Sequence, residues 1–183
     1  MKFGVSTFLV FILIVILCTG ISLAQGNHKY LGVKMCSMCH KGEKNSNIYE
    51  KWQNSSHAKA YQTLLSPQSE KIAKEKGLKT AAKDSKECLE CHATAYGVDP
   101  SNISEKGKLE VTDGVQCEDC HGAGADYMAI HGKDKVKGTE NGLILKNDEK
   151  SCTKCHNKKS PTFKGFNYKE ALAKIAHPIN KAK

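Results

Sequence analysis

The chain has 183 residues, 39% hydrophobic and 26% charged, with 28 basic against 19 acidic side chains and a formal net charge of +9. That length fits one domain, yet large apolar residues are scarce and Trp52 is the single tryptophan, so side chains alone are a poor source of core. Every basic side chain is lysine, which argues against phosphate or base recognition and so against a nucleic-acid partner; the lysines read first as a solubilising surface, with acidic partners or anionic membranes as the rival targets.

From the N-terminus, Lys2 precedes an apolar run from about Phe8 to Leu17 and the small-residue sequence Ser22-Leu23-Ala24, the order of an export signal cleaved after Ala24. Read from Phe3 to Ala24, the same run has the length of a retained membrane anchor. Residues 1–24 are therefore assigned to targeting, Cys18 among them, and residues 25–183 to one functional domain.

Beyond it, Ile48, Trp52, His57, Tyr61 and Leu64 recur at roughly helical spacing within Ser46–Leu65. Ser66-Pro67 opens and Gly77 closes a second, charged helix. Around Lys106–Val115, turn residues Gly107, Asp113 and Gly114 frame a short extended Leu109-Glu110-Val111. A short helix is predicted over Ala125–Ile130, a surface loop over Lys133–Asn141, and a last helix from Tyr168 to Ala176 capped by Asn167. The fold class predicted is mostly α with long loops and little or no sheet.

Eight cysteines, Cys18 aside, fall in one pattern repeated four times with none left over. The sites are Cys36-Ser37-Met38-Cys39-His40, Cys88-Leu89-Glu90-Cys91-His92, Cys117-Glu118-Asp119-Cys120-His121 and Cys152-Thr153-Lys154-Cys155-His156. C-x-x-C-H is the c-type haem attachment signature. Two thioether bonds to one porphyrin need sulfurs about one helical turn apart, and the adjoining histidine then reaches the iron as proximal ligand. Four haem c groups, bound covalently, would supply the core that the side chains lack. Disulfides explain the pattern poorly, because each would close a trivial loop. Cys117–Gly124 imitates a C-x-x-C-x-G-x-G zinc module, but the other three sites lack its glycines. An iron–sulfur cluster lacks its fourth-cysteine run.

Four histidines remain for the distal faces: His57, His131, His177 and His28. His57 shares the apolar face of Ser46–Leu65, His131 ends the short helix before Gly132, and His177 is held off the helical path by Pro178. His28 follows the cleavage point closely and could reach a neighbouring molecule. Met128, three residues before His131, reads as a porphyrin-packing side chain.

The order of these elements resembles the tetrahaem cytochrome c554 family. Carrying the resemblance are Tyr30-Leu31-Gly32 before the first site, Trp52, Ser56-His57-Ala58 and Leu64, then Gly114-Val115-Gln116 leading into the third site, Gly122-Ala123-Gly124 after it, and Tyr127 with His131 beyond. The resemblance implies a helical, loop-rich fold with haems in stacked and edge-on pairs, and periplasmic electron transfer. It also implies that His57 reaches the third haem and His131 the fourth. One departure is that no histidine lies between His92 and His121, where the family has a distal one; the first haem is then left to His177, His28, another molecule's histidine, or an open face.

The reading that follows is an extracytoplasmic relay passing single electrons between redox protein donors and acceptors. Its rivals are a haem enzyme acting on a small nitrogen compound at a five-coordinate haem, and a homo-oligomeric subunit of a cytochrome filament.

Overall fold

Short helices joined by hydrogen-bonded turns make up the computed structural model, which describes residues 28–177. In chain order the α-helices are α1 (Val33–His40), α2 (Ile48–Gln53), α3 (Ala60–Thr63), α4 (Pro67–Glu75), α5 (Lys86–His92), α6 (Cys117–His121), α7 (Lys135–Glu140), α8 (Glu149–Thr153) and α9 (Tyr168–Ile175). Among the described residues no named strand occurs, only an isolated parallel bridge between Tyr30 and Ile103, so the fold class is as predicted. Helices this short are marginal in water, so their stability must come from what they pack against and from local caps.

Where the sequence carries cap chemistry, the helices begin and end there. Ser66 accepts the Ser69 N–H at the start of α4, Pro67 takes its first position, and Gly77, with φ of 68°, turns the chain out after it. Asn167 accepts the Glu170 N–H while its own amide donates to the Glu170 carboxylate at 2.9 Å, fixing the start of α9.

Four segments differ from the expectation. Ser46–Leu65 is broken between α2 and α3, where the Ser55 hydroxyl accepts the Ala58 N–H and Ser55 N–H returns to Trp52, local bonds that compete with a continuous helix. Ala125–Ile130 forms successive turns mixing Met128 N–H to Gly124 with Ile130 N–H to Tyr127, and is not a regular helix. Lys133–Asn141 contains α7, because Asp134 caps it by accepting the Lys137 N–H at 3.0 Å and Gly138 lets it lie against His131 and Leu143. Val111–Asp113 is a single 3-10 turn, with no strand at Leu109 or Glu110.

The apolar interior is thin. Of the ten buried hydrophobic residues among those described, four are alanines. A small cluster of Leu64, Leu89 and Ala93, with Tyr61, Cys88, Tyr96 and Val111 around it, ties α3 to α5. Polar side chains do much of the remaining joining. Glu118, 2% exposed, accepts the backbone N–H groups of Leu31, Gly32 and Gly124 at 2.7–2.8 Å. Gln116, equally buried, accepts the Val33 N–H and donates to the Glu110 carbonyl. Trp52 donates to the Val115 carbonyl, and Val115 N–H to the His57 carbonyl. The segment from Gly114 to Gly124 is thus the hub on which α1, α2 and the His57 turn are hung.

No described helix is long and apolar enough to cross a membrane; the targeting assignment for residues 1–24 lies outside the described residues, as does Pro178.

Candidate haem sites

Each paired-cysteine motif is carried by a helix end. Cys36, Cys39 and His40 close α1, Cys88, Cys91 and His92 close α5, and Cys117, Cys120 and His121 occupy α6. At the fourth site α8 ends at Thr153, and Cys155 and His156 continue as turns, with both N–H groups donating to the Cys152 carbonyl. One helical turn therefore separates the two sulfurs in every case, the spacing that two thioether bonds to one porphyrin require.

Three of the four motif histidines face another histidine. His40 and His131 have ring centroids 5.7 Å apart, His121 and His177 5.7 Å, and His156 and His57 6.0 Å. A metal–imidazole bond is about 2.0 Å, so two rings on opposite faces of one metal have centroids roughly 6 Å apart. The pairs thus fit an iron held between two imidazoles. Orientation fits as well: the Nδ1 atoms of His121, His131 and His177 lie 2.8–3.0 Å from the carbonyls of Ile144, Tyr127 and Ile175. An Nδ1–H donated to a carbonyl leaves the Nε2 lone pair for a metal. Burial lowers the pKa of His40, His57 and His121, which favours the neutral, ligating form.

The ring partners differ from those that the resemblance implies. His57 faces the fourth site instead of the third, and His131 the first instead of the fourth. The first site, for which the resemblance left His177, His28, another molecule's histidine or an open face, instead faces His131, because the turns from Gly124 carry it back over α1. At the second site, His92 makes a 2.7 Å contact from Nδ1 to the Ala60 carbonyl, but no described histidine ring is paired with it. His28 is engaged elsewhere: its Nδ1 lies 2.6 Å from the Asp126 carboxylate and its ring edge rests on Gly142.

Thiols from different sites also meet. The neighbouring Cys36 and Cys117 thiols interact so that the first is raised and the second lowered. Cys155, pushed up to about 12 by burial and then by Cys91, lies against the second site's thiol. Cys120, raised to about 11 chiefly by burial, also feels Asp119 and Cys152. The chain thereby sets the first anchor beside the third, the second beside the fourth, and the third within reach of the fourth. Asp119 stands at that last junction, raised by burial and lowered by Lys154 and His57.

The hub role of Glu118 and Gln116 is not visible in the sequence, where Glu118 reads as a spacer and Gln116 enters only through the family resemblance. The only hint was an acid followed by a second acid inside a haem motif, which is too common to mark a buried hub.

A family model described as cytochrome c554 and c-prime matches residues 35–122. Cytochrome c-554 of Nitrosomonas europaea is 33% identical over 170 residues, covering 85% of this chain and 69% of the relative. The chain belongs to the cytochrome c554 family. The structure of reduced cytochrome c554 from the same organism superposes with a TM-score of 0.54 at 24% identity, over 82% of this chain and 79% of that one, which shows a shared fold. Membership makes this a multihaem c-type cytochrome with an electron-transfer role. The matched residues 35–122 span the first three motifs of this cytochrome, and the fourth lies beyond them.

Proposed function

We propose that this cytochrome holds four haem c groups and relays single electrons between redox proteins outside the cytoplasm. The observation that carries the reading is the set of three opposed histidine pairs, each joining a motif histidine to one distant in sequence. Cys36 and Cys39, Cys88 and Cys91, Cys117 and Cys120, and Cys152 and Cys155 would anchor the groups, with His40, His92, His121 and His156 as proximal and His131, His177 and His57 as distal ligands. Haem c, when bound, supplies an iron that exchanges one electron. The residues do the rest: at three sites the paired imidazoles would hold the iron from both sides, which would keep substrate off it and leave its ligands the same in either oxidation state. Carbonyl acceptors hold the His121, His131 and His177 rings in the required tautomer, and the thiol contacts set the first anchor beside the third and the second beside the fourth. The extracytoplasmic assignment rests on the export signal read in residues 1–24.

A second reading is favoured at one place only. His92 has no opposed ring among the described residues, so the second site suits a five-coordinate iron with an open face, as an enzyme acting on a small nitrogen compound would need, or as a filament subunit would offer to a histidine of another copy.

Intact mass of the purified protein tests the main reading, with four haem additions and a terminus after Ala24 expected; fewer than four would overturn it. Electron paramagnetic resonance of the oxidised protein separates the readings at His92. One high-spin ferric signal beside three low-spin ones favours an open face; four low-spin signals with a large species on size exclusion favour a filament.

A further inference from the structure

Lysine and acid are unevenly matched along the chain. From Lys146 to Lys164 there are six lysines, at 146, 150, 154, 158, 159 and 164, against two acids, Asp148 and Glu149. All six are exposed, and none has a carboxylate within ion-pair distance among the described residues. Asp148 is committed to capping α8, where it accepts the Ser151 N–H and hydroxyl. The second site contrasts with this: Lys83 pairs with Asp84 at 3.2 Å and Lys86 with Glu90 at 3.6 Å, so its charges are balanced locally. Lysines without a carboxylate partner occur near the first site as well, but the excess is densest at the fourth.

The loop that carries the field is also built onto that site. Asn157 fixes it at both ends of a turn, donating to the Thr153 and Lys154 carbonyls and accepting the Lys159 N–H at 2.8 Å. Ser160 N–H returns to the Asn157 carbonyl and Phe163 N–H to Ser160. Phe166 then stacks on the His156 ring, with centroids 4.9 Å apart and planes 19° apart. Lys158, Lys159 and Lys164 therefore stand on the outer side of a fixed loop whose inner side touches a motif histidine, and His156 is itself exposed.

We propose that loop 157–166 and the exposed end of α8 form the docking surface for an acidic one-electron redox protein, so that electrons enter or leave this cytochrome at the fourth site. The inference rests on the fourth motif holding a haem. Charge complementarity identifies the partner: an unpaired lysine cluster attracts a carboxylate-rich surface, accelerates encounter, and is screened by salt. An anionic membrane would meet the same charges, but a fixed loop stacked on an axial histidine suits a protein that must place its own redox centre nearby.

The test uses the full-length haem-loaded protein, with haem content measured first. Its probe is an acidic plastocyanin carrying cadmium in place of copper, so that binding is read without electron transfer. At low ionic strength the K158E/K159E/K164E variant should bind about tenfold more weakly than the unaltered protein, and K71E/K74E/K76E, the same charge change at α4, less than about threefold. Near 0.3 M salt the difference should largely vanish. Carbodiimide cross-links should map to Lys158, Lys159 and Lys164. Equal loss in both variants, no loss in either, or cross-links concentrated on α4 would overturn the proposal. So would a shift of haem potentials in the loop variant with affinity unchanged, since the lysines would then serve the protein's own propionates. Retention on anionic vesicles without plastocyanin binding would assign the surface to a membrane. A haem count below four would instead locate the failure in the four-haem reading.

Discussion

The Glu118 carboxylate accepts the Gly32 N–H at 2.7 Å, and with it the N–H groups of Leu31 and Gly124, so a residue inside the third motif holds the approach to the first. Three backbone donors meet one buried acceptor in a protein with little apolar core. Glu118→Gln keeps one acceptor oxygen and turns an amide NH2 toward an N–H, leaving at least one donor unpaired. The expected loss is about 2–3 kcal/mol of stability, read as a lower denaturant midpoint of the haem-loaded protein. An unchanged midpoint would mean that the three bonds are dispensable.

Gly32 has a φ of 82°, and a Cβ placed there would run into the Lys108 carbonyl. Gly32→Ala therefore combines an unfavourable backbone conformation with a backbone clash. Gly32→Ala is expected to destabilise by about 2 kcal/mol more than Gly42→Ala, read as denaturant midpoints, because both carry the strain of a positive φ while Gly42 meets nothing within 4 Å. Equal effects at the two positions would show that the Lys108 contact is unimportant.

The opposed histidine pairs make separate predictions. His57→Ala, His131→Ala and His177→Ala should each add one high-spin ferric centre to the resonance spectrum of the oxidised protein. His28→Ala should add none, since its ring is spent on Asp126 and Gly142. A new high-spin centre in the His28 variant would place that residue on an iron and remove the open face from the second site.

How far these sites could be read from the sequence depends on what kind of contact makes them. The proposed attachment sites are local in sequence, so four C-x-x-C-H repeats mark them without any fold. The distal pairs are long-range: His131 meets His40 across some ninety positions because turns after Gly124, and α7 packed on them through Gly138, steer it there. The rings that His57 and His131 face differ from those that their positions along the chain imply. Helices with side-chain caps, at Ser66 and Asn167, were legible; α7 was not, since its cap Asp134 sits among lysines and its middle is a glycine. The acceptors for the ring Nδ1 atoms are backbone carbonyls, which every residue owns, so no sequence pattern could have named Ala60 or Ile144.

Asp113, just before the third motif, gives a pH dependence of its own. Its Oδ2 atom is buried with no hydrogen-bond partner, and burial raises its pKa, with Lys34 opposing and Glu110 adding to the shift. A carboxyl group whose folded pKa exceeds its unfolded value of 3.8 favours the fold most when protonated. Its contribution is therefore complete below pH 3.8 and is lost as the pH rises through the higher folded value. Asp113→Asn removes the charge without changing the shape, so at pH 7 the variant should be more stable than the unaltered protein, and the gap should close on acidification toward pH 3.8. Denaturant midpoints at the two pH values measure this. A gap of constant size would trace the gain to packing, and a less stable variant at neutral pH would show that attraction between Asp113 and Lys34 outweighs the cost of burying the carboxylate.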